Sequence, residues 1–207
     1  MLDKELEYFA NIVVAICKKS SGKSQIRRRM EYFDADCLCL RATDYKDNDK
    51  LLTLYAPEKG KIFAVAKGCK SPKAKLKYAA SPLCFGHYYF SVKNGRFTLI
   101  GCDCYDSFFD MSQDIEKYCS AMTVVETLDK TQMEGQYDHE VYVHSLQTLK
   151  NLKNIQEKCE EEVRKFLAKA LILSGYKCEA DDLRSTYDVF VREFGIKLNS
   201  LEMLINL

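Results

Sequence analysis

The spacing of apolar residues changes once along this chain, near Ser107, and that change limits what the chain can fold into. Before it, apolar and aromatic residues come in short runs: Asp36 to Thr43, Lys50 to Ala56, Lys61 to Ala66, Leu83 to Val92 and Phe97 to Cys104. Runs of this length, rich in Leu, Val, Tyr, Phe and Cys, predict five β-strands. Pro57-Glu-Lys-Gly60 predicts a tight turn between the second and third strands, and Asn94-Gly95 predicts a hairpin between the fourth and fifth. Five strands with one long connection, between the third and the fourth, predict a small closed barrel: an OB-fold, with an SH3-like barrel as the structural alternative.

Beyond Ser107 the period is helical. Asp110-Met-Ser-Gln113 supplies an N-cap with a capping-box partner, and Ile115, Cys119, Met122 and Val125 follow at helical spacing. A second helix is expected over Asp138 to Leu152, with Val141, Ser145, Leu149 and Leu152 on one side. A third, over Ile155 to Ser174, ends at the capping glycine Gly175. Thr186 to Phe194 and Ser200 to Leu207 read as two last short helices. The fold class expected is α+β: an OB-fold domain over 30–108 followed by an all-helical domain over 109–207. At 207 residues and 47% hydrophobic content, the chain can bury a core in either.

Charge is distributed unevenly across this pattern. From Lys59 to Cys102 there is no aspartate or glutamate, while eight lysines and Arg96 give the stretch +9 in a chain whose net charge is +1; the remainder carries −8 by difference. The densest part, Lys67-Gly-Cys-Lys-Ser-Pro-Lys-Ala-Lys-Leu-Lys77, is a loop by its glycine and proline. A basic loop on a small barrel is an electrostatic footprint for a nucleic-acid backbone. Extended chain advances about 3.3 Å per residue against about 3.4 Å per phosphate along one DNA strand, so Lys67, Lys70, Lys73, Lys75 and Lys77 can each lie near a phosphate. Lys61, Arg41, Lys50 and Arg96, on or beside strands, extend the track. A loop whose lysines are merely solvated is the plainer reading of the same residues. Single-strand binding also needs aromatic faces for bases. Tyr45, Tyr55, Phe63, Tyr88, Tyr89, Phe90 and Phe97 qualify by type. In His87-Tyr-Tyr-Phe90, alternation sends Tyr88 and Phe90 to one face and His87 and Tyr89 to the other. Alternation alone leaves open which face is exposed; Tyr88 and Phe90 are carried forward as the stacking candidates.

Several other chemistries are disfavoured. Ser20-Ser-Gly-Lys-Ser24 mimics the end of a phosphate-binding loop, but Cys17 stands where that motif needs a glycine. Residues 1–29 read as a flexible extension ending in Arg27-Arg-Arg29, and Met30 could be the true start. The apolar run Ile12 to Cys17 suits neither a signal peptide nor a membrane span. The ten cysteines therefore read as reduced thiols of a cytoplasmic protein, most of them buried. Cys37-x-Cys39 with Cys102-x-Cys104 would make a four-thiolate metal site only if their strands were neighbours, which an OB-fold does not provide; no metal or cofactor is expected. His87, His139 and His144 are scattered or wrongly spaced for catalysis or a helical metal pair, so no catalytic residue is assigned.

The segment Arg41-Ala-Thr-Asp-Tyr-Lys-Asp-Asn-Asp-Lys-Leu-Leu-Thr-Leu-Tyr55, with Pro57-Glu-Lys-Gly-Lys61 and Ala64-Val-Ala-Lys-Gly68, resembles the bacterial recombination mediator family RecO. The likeness continues more weakly through Lys73 to Leu76, Ser107-Phe108, Leu173-Ser-Gly-Tyr176 and Gly195-Ile-Lys-Leu-Asn-Ser-Leu201. It implies an OB-fold plus a helical domain, binding to single- and double-stranded DNA, annealing of complementary strands, and indirect help to RecA on DNA coated with single-strand-binding protein (SSB). It also implies RecR and the acidic SSB tail as partners, a cytoplasmic, nucleoid-associated location and no catalysis. Arg164, Lys165 and Lys169, beside an apolar helix face, are candidates to receive that tail. Many relatives carry two Cys-x-x-Cys pairs before the last helices. This chain has Cys178 alone there and no Cys-x-x-Cys anywhere, so the zinc module is absent. The competing reading is an adaptor whose helical face binds proteins while its barrel is only a scaffold.

Overall fold

Five strands form in the computed structural model, which describes residues 31–156 and 158–207: β1 (Glu31–Tyr45), β2 (Asp49–Ala56), β3 (Gly60–Ala66), β4 (Phe85–Lys93) and β5 (Arg96–Asp106). The expected extension over 1–29, with its phosphate-loop mimic and Arg27-Arg-Arg29, lies outside the described residues. The strands close in the order β1-β2-β3-β5-β4, all neighbours antiparallel except β3 and β5. That is the OB-fold. The first strand starts five residues earlier than the apolar pattern predicts, because Glu31 and Asp34 break the pattern while their backbone still pairs with β4, Glu31 opposite Val92 and Asp34 opposite Tyr89. Its length lets one strand pair with both β2 and β4, with a register shift between Cys39 and Arg41.

The barrel interior is filled by Leu52, Leu54, Ala64, Tyr88, Phe90 and Leu99 together with the buried thiols of Cys37 and Cys39. Phe90 stacks between Phe33 (5.8 Å between ring centres) and Tyr88 (6.2 Å). Each buried Leu or Phe contributes roughly 1.5–3 kcal/mol through burial, so the inward set dictates the register of every strand.

Helices follow: α1 (Ile115–Thr131), α2 (His139–Asn154), α3 (Glu160–Leu173), α4 (Leu183–Phe194) and α5 (Asn199–Ile205). The first N-cap is Asp114, whose carboxylate accepts from the Glu116 and Lys117 amides. The expected cap at Asp110 falls inside a 3₁₀ turn over Phe109–Gln113. Asp138 and Asp182 cap α2 and α4 in the same way. At the end of α3, the Tyr176 amide donates to Leu171 and Gly175 (φ +87°) to Ile172, the paired bonds that the capping glycine predicts.

Barrel and helices belong to one unit, Glu31–Leu207. Tyr55 on β2 donates to Gln132 (3.1 Å) and accepts from the Asp138 amide (3.0 Å), while Tyr142 on α2 donates to the Asp36 carbonyl (2.9 Å). Gly60 takes φ +64° where residues 134–136 cross the start of β3, and a Cβ there would collide with the Gln136 backbone.

Candidate nucleic-acid interface

The basic loop is a run of tight turns that plugs one end of the barrel. Its small apolar residues Cys69, Ala79, Ala80 and Cys84 are buried in the barrel core, with Leu76 packed against them. The Gly68 amide donates to Asp49 (2.8 Å) and the Lys70 amide to the Asn48 carbonyl (3.2 Å), which seats the loop on the β1–β2 turn. With the apolar residues held inward, the lysines have only outward directions left. Lys67, Lys70, Lys73, Lys75 and Lys77 are all exposed. Lys70 pairs with Asp44 (2.9 Å), and its ammonium lowers the pKa of that carboxylate. Lys67, Lys73, Lys75 and Lys77 make no ion pair with any of the described residues.

The strand cations fare differently. Lys61 keeps only 14% of its side chain exposed and donates to the Asp129 carbonyl on α1 at 2.6 Å, with the Asp129 carboxylate 3.8 Å away. It lies at the seam between barrel and helices and cannot extend a phosphate track, contrary to expectation. Arg41 pairs with the same Asp129 (3.1 Å) but leaves 56% of its side chain exposed. Lys50 donates to the Ala80 carbonyl (3.1 Å), fastening the loop in place of facing a ligand. Arg96 is exposed at the start of β5, beside exposed Lys93.

Tyr88 and Phe90 are a correction. Both are fully buried, and the Tyr88 hydroxyl donates to the carbonyls of Ala79 (3.0 Å) and Cys84 (3.3 Å), so they hold the loop against the core and offer no face to a base. Burial raises the pKa of Tyr88 well above the usual phenol range. The outward partners, His87 and Tyr89, lie among acids. His87 bridges Asp34 (3.0 Å) and Asp36 (2.7 Å), and Tyr89 donates to Asp103 (2.7 Å).

Phe63, outward on β3, is one exposed ring beside cations; Tyr45, with the Lys46 ammonium 5.4 Å from its ring centre, and Tyr78, next to Lys77 in the loop, are others. Register sets Thr53 between Arg41 and Phe63, and the parallel pairing of Ala64 with Phe97 brings Phe63 and Arg96 abreast. Four residues of strand, about 13 Å, separate Phe63 from Lys67. Arg96 and Phe63 thus lie side by side, Arg41 lies beyond the buried Thr53, and the free lysines of the loop begin where β3 ends. Phe63 was one of seven aromatics legible by type; Asp129, which removes Lys61 from the track, gives no signal in sequence.

On the helical side, Arg164 is held by Glu161 through two bonds (2.7 and 2.8 Å) and by the Ala180 carbonyl (3.2 Å), so its guanidinium is already partnered. That pairing pulls the Glu161 carboxyl down to about 2. Lys165 also approaches Glu161 (3.6 Å), and Lys169 is exposed. Among the described residues, no group of three or more His, Cys, Asp or Glu side chains is placed to hold a metal, and no helix is long and apolar enough to cross a membrane. β1 and β5 both border β4 and not each other, which separates Cys37 and Cys39 from Cys102 and Cys104 as a ligand set.

Residues 30–108 match the family described as Recombination protein O N terminal, and residues 112–183 match Recombination protein O C terminal. The chain belongs to the RecO family. Relatives named DNA repair protein RecO include one from Clostridium perfringens, 30% identical over 74% of this chain and 62% of its own length. Another from Syntrophomonas wolfei is 30% identical over 58% of this chain and 48% of its own length. A third, from Moorella thermoacetica, is 28% identical over 69% of this chain and 53% of its own. The chain thus spans between about half and three fifths of the length of these RecO proteins.

Proposed function

We propose that this chain is a DNA-binding recombination mediator acting in DNA repair, without catalysis of its own. It binds single- and double-stranded DNA, anneals complementary strands, and assists RecA loading onto SSB-coated DNA, with RecR and the SSB tail as protein partners. The observation that carries this reading is the loop from Lys67 to Lys77. Four of its five lysines stay free of ion pairs among the described residues, although the rest of the molecule carries an excess of acids. A surface of this kind screens phosphate repulsion on two strands at once, so that complementary bases can meet. The names of the relatives point the same way, and Lys165 and Lys169 remain the exposed cations for an acidic tail.

The test is fluorescence anisotropy with a labelled single strand of arbitrary sequence over a range of salt. Replacing Lys67, Lys73, Lys75 and Lys77 by Glu is expected to weaken binding to all sequences alike. It should also flatten the slope of log affinity against log salt by about 0.7 for each lost contact. An unchanged slope rules out this loop as the site. Absence of binding by the parent protein at roughly 50 mM salt, where phosphate contacts are strong, replaces the mediator reading with the adaptor.

A further inference from the structure

Oxidation chemistry is written into the opposite ends of two paired strands. Cys84, the last residue before β4, lies 3.5 Å, sulfur to sulfur, from Cys104 on β5. The approach is enforced by Gly86, which pairs with Cys104: a Cβ on Gly86 would fall 2.5 Å from the Asp103 carbonyl oxygen, so β4 and β5 run closer here than two ordinary residues allow. Cys84 is buried and held by its backbone, its carbonyl accepting from the Cys39 amide (2.8 Å) and from Tyr88 (3.3 Å). Cys104 is exposed, and Cys102 lies between these extremes. The two sulfurs need to close by about 1.5 Å to reach disulfide length.

We propose that Cys84 and Cys104 are a reversible thiol-modification site, in which a hydroperoxide oxidises the exposed Cys104 and the buried Cys84 resolves it to a disulfide. In the first step the Cys104 sulfur attacks the hydroperoxide; an S–O bond forms, the O–O bond breaks, and the thiol proton leaves with the departing alkoxide as an alcohol, or as water from hydrogen peroxide. In the second, Cys84 sulfur attacks the Cys104 sulfenic acid; the S–S bond forms, the S–O bond breaks, and hydroxide leaves as water. Two thiols lose two electrons in all and one hydroperoxide gains them, while a small thiol reverses the link by exchange.

The electrostatics favour Cys84 as the attacking sulfur of the resolving step, while the first step at Cys104 rests on its exposure. A hydrogen bond with Cys102 lowers the pKa of the Cys84 thiol against the burial that raises it, which favours Cys84 as the attacking sulfur in the resolving step. Burial, with the neighbouring Cys84, pushes Cys104 up to about 12. Cys104 is therefore set to react by its access to solvent, not by its acidity, and Cys84, out of reach of solvent, is protected from direct oxidation. Cys37 and Cys39 are raised by burial and sealed in the core, which makes them internal controls. The site stands whether or not the loop binds DNA.

The experiment treats the whole chain with hydrogen peroxide, blocks residual thiols with N-ethylmaleimide and maps peptides without reduction. The expected product is one link joining Cys84 to Cys104, lost on treatment with dithiothreitol. Cys84→Ala should convert Cys104 to its sulfinic acid, whereas Cys102→Ser should preserve the link. Should a variant fail to fold, a brief N-ethylmaleimide pulse on the parent protein still decides: Cys104 should label at least about tenfold faster than Cys37 or Cys39. A link through Cys102 in place of Cys104, accumulation of sulfinic acid without any link in the parent protein, or equal labelling of all these thiols overturns the proposal.

Discussion

Phe63 and Tyr89 expose almost the same share of their surface, 37% and 38%, on the wall of one barrel, yet their surroundings have opposite sign. Phe63 lies in a row with Arg96, Thr53 and Arg41, about four residues of strand from the first free lysine of the loop. Tyr89 donates to Asp103 and packs its ring edge-on against His87, itself held between Asp34 and Asp36. A base arrives attached to phosphates, so a ring ringed by carboxylates repels what it would otherwise stack on. Exposure finds the rings; the neighbouring charge chooses between them. The net charge of +1 hides this, because it adds the two surroundings together.

The largest effect that bears on this contrast is one of stability. Asp129→Ala leaves Lys61, mostly buried, without its carboxylate and frees Arg41 on the same wall as Phe63. It should cost about 2–4 kcal/mol in urea unfolding while leaving single-strand affinity equal or higher. A loss under about 0.5 kcal/mol means that the residue 129 carbonyl alone satisfies Lys61 and the carboxylate contributes little. Next comes the contrast itself. Phe63→Ala should weaken binding of a short single strand by about 1–2 kcal/mol, on the order of tenfold, and Tyr89→Ala should leave it unchanged. Equal losses from the two would erase the distinction. The smallest effect separates two lysines of the loop. Lys75→Ala should lower the salt slope by about 0.7, while Lys70→Ala should lower it by less, because Asp44 already offsets that charge. A larger change from Lys70 would show that its ion pair breaks on binding.

What the sequence made legible was local. Asn94-Gly95, Gly175, Asp138 and the alternation in β4 each act within a few residues, and the hairpin, the cap and the in-out pattern follow from them. The polarity of that alternation was not legible: His87-Tyr-Tyr-Phe90 has aromatics on both faces, and only the contact of Tyr88 and Phe90 with Phe33 and Ala79, from distant segments, settles which pair goes inward. The charge of the loop was visible in composition, but which cations stay free depends on pairings across the fold. Lys61 with Asp129 and Lys50 with Ala80 are separated by 68 and 30 residues, and no short-range pattern announces them. The strand start at Glu31 was missed because Glu31 and Asp34, both exposed, interrupt the apolar pattern on a strand whose backbone bonds do not depend on side-chain type.

The crossing at Gly60 carries a consequence for how the molecule comes apart. With the chain between α1 and α2 lying directly against the first residue of β3, and with two tyrosine hydroxyls fastened across the same boundary, the barrel's own wall is unfinished until the helices arrive. Heat or denaturant should then remove both halves in one cooperative step, and a fragment ending near residue 108 would expose Tyr55 to water in place of folding as a smaller protein.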